Sequence, residues 1–243
     1  MRMTDDIVEA RNWLGEELDC SVCGSRDVKC CLMKACVEDR YAKRIDRFFD
    51  WNPEKAKEYL EHPYFEVRAV AAKHVEAELL PHLMHDGDET VRWSVAARLP
   101  QEYLTGMRMD PDREVRIRVA ARLDEANLGS MIDDPDYYVR QIVARRMPSA
   151  MLPLMMSDSD REVRKAVARR IGEEWLVRIL EDEDASVRLE AAMRIDENKL
   201  PLLIDDADWR VRYEVAGRVE PKYLKRLLAD PDVAVRTLAK TRL

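Results

Sequence analysis

Glycine is scarce in this sequence, and so are the motifs of common catalytic sites. Only 7 of its 243 residues are glycine, which disfavours a turn-dense β protein and the glycine-rich loops that hold phosphates. The sequence also contains no Gly-x-Ser-x-Gly nucleophile motif and no His-Glu-x-x-His zinc-protease motif. Because no set of acid, base and nucleophile residues stands out, we expect the protein not to be an enzyme.

An excess of positive charge and long apolar runs are also missing. The net charge is -7, with 41 Lys and Arg against 48 Asp and Glu, so there is no global basic field to attract nucleic acid. No run approaches the roughly 20 apolar residues of a membrane-spanning helix. The acidic beginning of the sequence also lacks the apolar core of a secretion signal. We therefore expect a cytoplasmic protein that does not bind membranes.

Cysteine is absent after residue 36, and all five cysteines lie close together before it. An odd number clustered in one segment indicates a metal site rather than disulfides spread over a fold. Four thiolates can hold an iron–sulfur cubane, one per iron. A zinc ribbon usually has two Cys-x-x-Cys pairs, and only one is present, so the pattern favours iron–sulfur and leaves zinc as the alternative. The cysteines are Cys20, Cys23, Cys30, Cys31 and Cys36.

One segment repeats through the rest of the chain. The dipeptide Val-Arg recurs every 24 residues, eight times, from Val67-Arg68 to Val235-Arg236. A period this regular predicts a repeat architecture. We number each repeat from its first aspartate, with His62 in that place in the first repeat, so that Val and Arg are at positions six and seven. Position one is therefore His62, Asp86, Asp110, Asp134, Asp158, Asp182, Asp206 and Asp230.

The pattern within each repeat predicts one α-helix followed by a short 3₁₀ helix. Positions six, ten and fourteen are apolar and form one buried helical stripe, and position eleven is alanine. Leucine at position nineteen and an apolar residue at twenty-two have a spacing of three. A strand there is the alternative, but β-branched residues are scarce in that half. Since 24 residues are too few for two full helices, the second half fits one 3₁₀ turn. We expect the aspartate at position one to cap the α-helix.

Two rows of arginine follow from the repeat, at positions seven and thirteen. We expect the arginine at seven to pair with the aspartate at three, one turn earlier in the same helix. The arginine at thirteen, replaced by His74 in the first repeat, suits the negative end of the helix dipole. Pairing inside the repeats is the favoured interpretation of both rows. Binding of a nucleic acid or another polyanion is the alternative.

The segment before the repeats is expected to form a separate module. The sequence predicts a short helix within residues 1–19, a helix from Cys31 to about Trp51 and another from Glu54 to Glu61. No flexible linker follows, so we expect the module to pack on the first repeat and cap it. The predicted domains are residues 1–61, containing the cysteines, and residues 62–243, containing the repeats.

The repeat resembles a known family. The segment Asp-Pro-Asp-x-x-Val-Arg-x-x-Val-Ala-x-Arg-Leu is similar to HEAT-like repeats. The 24-residue period, with leucine at position nineteen, resembles the leucine-rich repeat variant family over residues 62–243. That resemblance implies an all-α, right-handed superhelical solenoid of alternating α and 3₁₀ helices. It also implies a [4Fe-4S] module at Cys20 to Phe49. In the family pattern a cysteine lies six positions before the last, so the implied ligands are Cys20, Cys23, Cys30 and Cys36.

Together these patterns predict an iron–sulfur helical repeat protein. We expect a binding or scaffold protein whose partner is another protein on an extended face of the repeats, with a structural or sensing cluster. An iron–sulfur electron carrier and a nucleic-acid-binding HEAT-like protein are the alternatives. The sequence identifies no partner.

Overall fold

The computed structural model of the chain describes residues 9–21 and 28–243, and its regular elements are helical. Within those ranges there are two isolated β-bridges and no strand. No helix in the described ranges has the length and apolar character needed to cross a membrane. The α-helices are α1 Ala42–Trp51, α2 Phe65–His74, α3 Glu89–Ala96, α4 Gln101–Leu104, α5 Arg113–Arg122, α6 Tyr137–Arg146, α7 Arg161–Ala168, α8 Glu173–Ile179, α9 Ala185–Ala192, α10 Trp209–Arg218, α11 Pro221–Leu227 and α12 Val233–Thr241.

In each of the seven complete repeats an α-helix is followed by a shorter helical segment, as predicted. The second segment is α-helical in α8 and α11, and in the second repeat α4 runs into a 3₁₀ turn. Elsewhere it is 3₁₀, and no strand replaces it in the described residues. The all-α fold class with alternating α and 3₁₀ helices is therefore confirmed. The 3₁₀ helices are Pro53–Tyr59, Ala77–Leu83, Thr105–Met107, Glu125–Met131, Ser149–Met155 and Glu197–Leu203.

The core consists of the predicted apolar positions. The valine at position six and the alanine at position eleven are fully buried in every complete repeat, and so are the leucines at position nineteen. Alanine leaves room for close approach of neighbouring helices, and leucine from the second segment fills the space between them.

By packing the chain divides into two units, residues 1–123 and residues 124–243. The domain boundary predicted after residue 61 marks where the sequence repeats begin, and it stays a prediction.

From the second repeat onward, the helix cap is the second aspartate of the repeat, not the first; in the first repeat Tyr64 takes that place and its side chain makes no cap hydrogen bond. In α5, for example, Asp112 Oδ1 accepts hydrogen bonds from the backbone N–H groups of Glu114 and Val115, at 2.9 and 3.1 Å. The prediction that position one caps the helix is therefore wrong. A capping side chain accepts hydrogen bonds from backbone N–H groups two or three residues after it. Position three has this spacing because the helix begins at position four.

The first aspartate instead joins successive repeats. Arg92 Nε and Nη2 donate to the two carboxylate oxygens of Asp110, at 2.8 and 3.0 Å, and its Nη1 donates to the carbonyl of Asp86 in its own repeat. This two-pronged pair links position seven to position one of the following repeat, 18 residues later. The predicted pairing within one helix is wrong at these sites. The same pair recurs at Arg68–Asp86, Arg140–Asp158, Arg164–Asp182, Arg188–Asp206 and Arg212–Asp230.

The arginine at position thirteen also joins repeats, through backbone carbonyls. Arg170 Nη1 donates to the carbonyls of Ala144 and Met147 at the end of α6, at 2.9 and 2.8 Å. These carbonyls have no helical partner because they belong to the last turn. A cation at that end also suits the helix dipole. The interpretation that this row serves the repeats is therefore supported, with backbone carbonyls as the acceptors.

The module before the repeats is less regular than predicted. Residues 9–21 form turns and one β-bridge between Arg11 and Glu17, so the helix expected there is wrong in its described part. The helix expected from Cys31 begins only at Ala42, and a 3₁₀ helix replaces the one expected from Glu54. Within residues 9–21, Asn12 Oδ1 accepts hydrogen bonds from the backbone N–H groups of Leu14 and Glu16, at 3.0 and 2.9 Å, and Gly15 has a positive φ of 87°.

Candidate metal centre

The described cysteines lie around one open pocket. Cys20, Cys30, Cys31 and Cys36 line this pocket, whose other walls are mainly apolar. The first three are exposed and Cys36 is half-buried. Cys23, the remaining predicted ligand, lies outside the described residues. The sequence prediction that the cysteines form one site therefore agrees with the placement of the four that are described.

A tight turn places the last cysteines. The backbone N–H of Cys31 donates a hydrogen bond to the carbonyl of Ala35, and the carbonyl of Cys31 accepts one from the N–H of Ala35, at 2.8 Å each. Met33, at the tip of this turn, has a positive φ of 65°. Residues other than glycine adopt this backbone conformation only at an energetic cost. The backbone N–H of Cys36 then donates to the carbonyl of Arg44 on α1, at 3.1 Å. The turn thus directs Cys30, Cys31 and Cys36 to the same pocket.

Asn52 attaches the cysteine segment to the end of α1. Its Oδ1 accepts from the backbone N–H of Lys29 at 2.9 Å, and its Nδ2 donates to the carbonyls of Lys29 and Phe48, both at 2.8 Å. Asn52 is buried, with 3% of its surface exposed. Since Lys29 directly precedes Cys30, the Asn52 side-chain amide fixes the position of the backbone just before Cys30. The sequence predicted a helix that ends near Trp51 but gave no sign of this role of Asn52, because the partner of Asn52 is 23 residues away.

A buried ion pair holds the other side of the segment. Arg44 Nη1 lies 2.7 Å from Asp39 Oδ2, and both side chains are at most 5% exposed. Asp39 Oδ1 also accepts from the backbone N–H of Tyr41 at 2.9 Å, just before α1 begins. A charge buried without its partner would be strongly destabilising. The pair therefore fixes residues 36–41, which follow the last cysteine, against the helix.

Phe48 connects the pocket to the first repeat. Its ring lines the cysteine pocket and packs edge-on against Phe49 and Tyr59, with centroids 5.3 and 6.0 Å apart. Phe49 in turn contacts His74 of α2, at 5.7 Å. His74 Nε2 also lies 3.1 Å from Asp46 Oδ1 of α1. The histidine that replaces arginine at position thirteen of the first repeat thus contacts the module.

Trp13 makes a second contact with the first repeat. Its indole stacks on Tyr64, with centroids 5.9 Å apart and planes 10° apart, and meets His62 edge-on at 4.7 Å. The hydroxyl of Tyr64 donates to the carbonyl of Arg40 at 3.2 Å. Burial lowers the pKa of His62, partly offset by the Glu38 carboxylate. The module therefore covers the beginning of the repeats, as expected for a cap.

The chemistry of the pocket fits an iron–sulfur cluster. Thiol sulfurs dominate its polar lining and Glu38 contributes its one carboxylate, while Leu32, Ala35, Val37 and Phe48 supply apolar walls. Thiolates are the ligands of iron–sulfur clusters, and an apolar surround limits water around them. In the described ranges, no three His, Cys, Asp or Glu side chains are already arranged as a metal-binding group. Since Cys23 is outside those ranges, the choice of individual ligands stays a prediction.

Comparison with known proteins decides the family. Residues 10–58 match the family model described as "LRV protein FeS4 cluster". A solved leucine-rich repeat variant, described as having a novel repetitive structural motif, is 41% identical to this chain. The similarity covers 93% of this chain and 99% of that one, with a TM-score of 0.89. The chain belongs to the leucine-rich repeat variant family. The match at residues 10–58 also establishes that its cysteine module is an iron–sulfur module.

A second relative of this leucine-rich repeat variant protein comes from Rhodobacter capsulatus. It is an uncharacterized 27.7 kDa protein in the nifB 3′ region and is 46% identical over 96 residues. The match covers 38% of this chain and 39% of that relative, so this chain spans about two fifths of the relative's length. It adds support for the family and carries no activity to this chain.

Proposed function

We propose that this leucine-rich repeat variant protein is a non-catalytic protein-binding scaffold whose [4Fe-4S] cluster stabilises the cap on the first repeat. The observation that carries the proposal is the position of Phe48. One ring contributes both to the wall of the cysteine pocket and to the aromatic group that packs on α2. Filling the pocket restrains that ring and, through it, the cap.

The ligands of this cluster are Cys20, Cys23, Cys30 and Cys36. Their thiolates hold the iron, and the cluster, when bound, supplies a covalent cross-link between segments and a redox centre. Asn52 orients the segment that contains Cys30, and the Arg44–Asp39 pair orients the segment after Cys36. Cys31 lines the same pocket without serving as a ligand.

Single cysteine substitutions test the ligand set. Serine at position 20, 23, 30 or 36 should abolish most of the iron, acid-labile sulfide and visible absorbance of protein purified without oxygen, because serine is a poor iron ligand. Cys31→Ser is the matched control and should retain all three. Loss of the cluster in Cys31→Ser but not in Cys30→Ser would reverse the assignment of these two residues.

Hydrogen exchange tests the link from cluster to cap. Removal of the cluster should increase exchange of backbone amides in α2 (Phe65–His74), because α2 packs on the aromatic group around Phe48. Helix α10 (Trp209–Arg218) lies in the second unit and provides the internal control. Equal exchange of α2 in the two forms would contradict a structural role of the cluster toward the repeats.

Capture experiments test the scaffold role. Repeat proteins present extended surfaces to their partners, and the cap determines whether the first repeat is covered. Immobilised cluster-loaded protein should retain a specific protein from an anaerobic extract more strongly than the apo form does. Retention of no specific protein by either form would count against the scaffold role.

Electron transfer is a second candidate because three of the described cysteines are exposed. An exposed cluster edge allows short electron-transfer distances to a partner. Reversible one-electron reduction of the loaded protein at an electrode, with the cluster absorbance restored on reoxidation, would favour it. A cluster that decomposes on reduction would favour the structural role.

A further inference from the structure

Two arginines on α5 have no carboxylate partner in the part of the chain that the structure describes. Arg118 and Arg122 are four residues apart, at positions nine and thirteen of the third repeat, and therefore share one face of the helix. Among residues 9–21 and 28–243, no carboxylate oxygen lies within 4.0 Å of either guanidinium group. Like charges at this spacing destabilise a helix.

The equivalent positions in α10 carry opposite charges. Glu214 and Arg218 are at positions nine and thirteen of the seventh repeat, and Glu214 Oε1 lies 3.7 Å from Arg218 Nη1. The repeat architecture thus accommodates a neutralised pair at this location. The third repeat instead has a second cation there, and Arg118 is the one arginine at position nine in the sequence.

Trp93 fixes the orientation of Arg118. The guanidinium carbon lies 4.1 Å from the centroid of the indole ring, which belongs to α3 of the preceding repeat. Glu114, one turn before Arg118, has the right spacing for an ion pair, yet the guanidinium group stacks on the indole instead. Stacking on a ring face stabilises the cation and leaves the N–H groups at the edge of its plane for another acceptor.

Arg122 is anchored at one nitrogen only. Its Nη1 donates to the carbonyls of Ala96 and Leu99, at 2.8 and 3.0 Å. Its Nε and Nη2 have no hydrogen bond to the described residues. Burial, together with the charge of Arg118, lowers the pKa of Arg122. A half-buried cation pair in this environment is stabilised by a bound anion.

We infer that Arg118, Arg122 and Trp93 form a binding site for a phosphate group. The planar edges of guanidinium groups match the oxygens of a phosphate, which accepts paired N–H donors. Arg118 offers its edge while stacked on Trp93, and Arg122 offers Nε and Nη2. A dianion neutralises both charges at once. Inorganic phosphate and a phosphate ester share this chemistry, and each is one arm of the test.

Calorimetric titration of the full-length protein with inorganic phosphate and with phenyl phosphate tests the site. Saturable binding of either ligand is expected, tighter for the ester if the natural ligand is a phosphate ester. Arg118→Glu, which reproduces the charges of α10, should weaken binding by about tenfold or more, since it removes a charged donor and adds a repelling charge. Arg118→Gln keeps the size without the charge and should weaken binding less.

Arg178→Gln is the matched control. Arg178 also lies over an indole, that of Trp175 at 4.8 Å, so the change removes the same charge from a similar stack elsewhere. It should bind phosphate as the unchanged protein does. No saturable binding to the unchanged protein would overturn the inference, and so would unaltered binding by both Arg118 variants or equal weakening in Arg178→Gln. The result does not depend on the cluster, so it is separate from the test of the proposed function.

Discussion

The repeats and the cysteine module are both helical, but their stabilising contacts differ in number. In the repeats the Arg–Asp pair, the aspartate cap and the arginine–carbonyl contact each recur several times. In the module, the Asn52 amide, the Arg44–Asp39 pair and the Trp13 stack each occur once. Because the same contacts recur, the stability of the repeats is distributed over many equivalent interactions. Each contact of the module, by contrast, directly controls the position of a cysteine or of the cap.

The largest expected effect is loss of one Arg–Asp pair between repeats. Arg212→Met keeps the apolar stem but leaves Asp230, 6% exposed, without its two-pronged partner. Breaking a buried ion pair from one side costs about 3–5 kcal/mol. Urea unfolding of the apo protein, followed by circular dichroism, measures the loss.

Arg210→Met provides the control for this prediction. Arg210 pairs with Asp208 at 2.7 Å, but its side chain is 52% exposed, and such surface pairs contribute little. We expect no measurable change. If the two variants lost equal stability, the distinction between the buried ladder and surface pairs would be wrong.

A smaller effect, confined to the module, is expected from Asn52→Ala. The change leaves the backbone N–H and carbonyl of Lys29 without their hydrogen-bonding partner, at a cost of about 1–3 kcal/mol. Because Lys29 precedes Cys30, iron should be lost faster to a chelator while the repeats unfold at the same urea concentration. Asn198→Ala, an exposed asparagine in the sixth repeat, should alter neither quantity. Unchanged iron loss in Asn52→Ala would show that this amide does not position the cysteine segment.

The smallest expected effect is on the pH dependence of stability. The hydrogen bonds from Arg212 hold the pKa of Asp230 below its ordinary value. The unfolded chain therefore takes up a proton in acid that the folded chain does not. The stabilisation is complete above about pH 5 and decreases as the pH falls toward the folded pKa.

Asp230→Asn should accordingly flatten part of this acid-side decrease. Unfolding free energies measured from neutral pH down to about pH 3 would give the two slopes. The variant is expected to be less stable at neutral pH and to lose less stability on acidification. Parallel slopes for the two proteins would contradict the contribution of this carboxylate.

The repeat boundaries and the core could be predicted because their causes are local. A 24-residue period and apolar residues at positions six, ten, eleven, fourteen, nineteen and twenty-two are properties of single segments, and burial of those side chains follows from helical spacing. Val91, Ala96 and Leu104, for example, are all fully buried. The cysteine cluster was equally visible, since five thiols within one short segment are typical of a metal site.

The partners of the charged residues could not be predicted because they lie in neighbouring repeats. From the sequence, Arg92 had a suitable partner one turn earlier in Asp88, and the helical spacing favoured that pair. In the structure Asp88 caps α3, and Arg92 reaches Asp110 in the next repeat. An aspartate already used as a cap is a poorer acceptor for a long side chain than a carboxylate placed beside it by stacking.

Residue types and their spacing were enough to predict the fold class, the period, the buried positions and a metal site in the module, because each depends on a single segment. Packing determined which aspartate pairs with the arginine at position seven, that Trp13 meets the first repeat and how Asn52 holds the cysteine segment. Those outcomes depend on groups 18 or more residues apart. Such groups reach hydrogen-bonding distance only when one element packs on another.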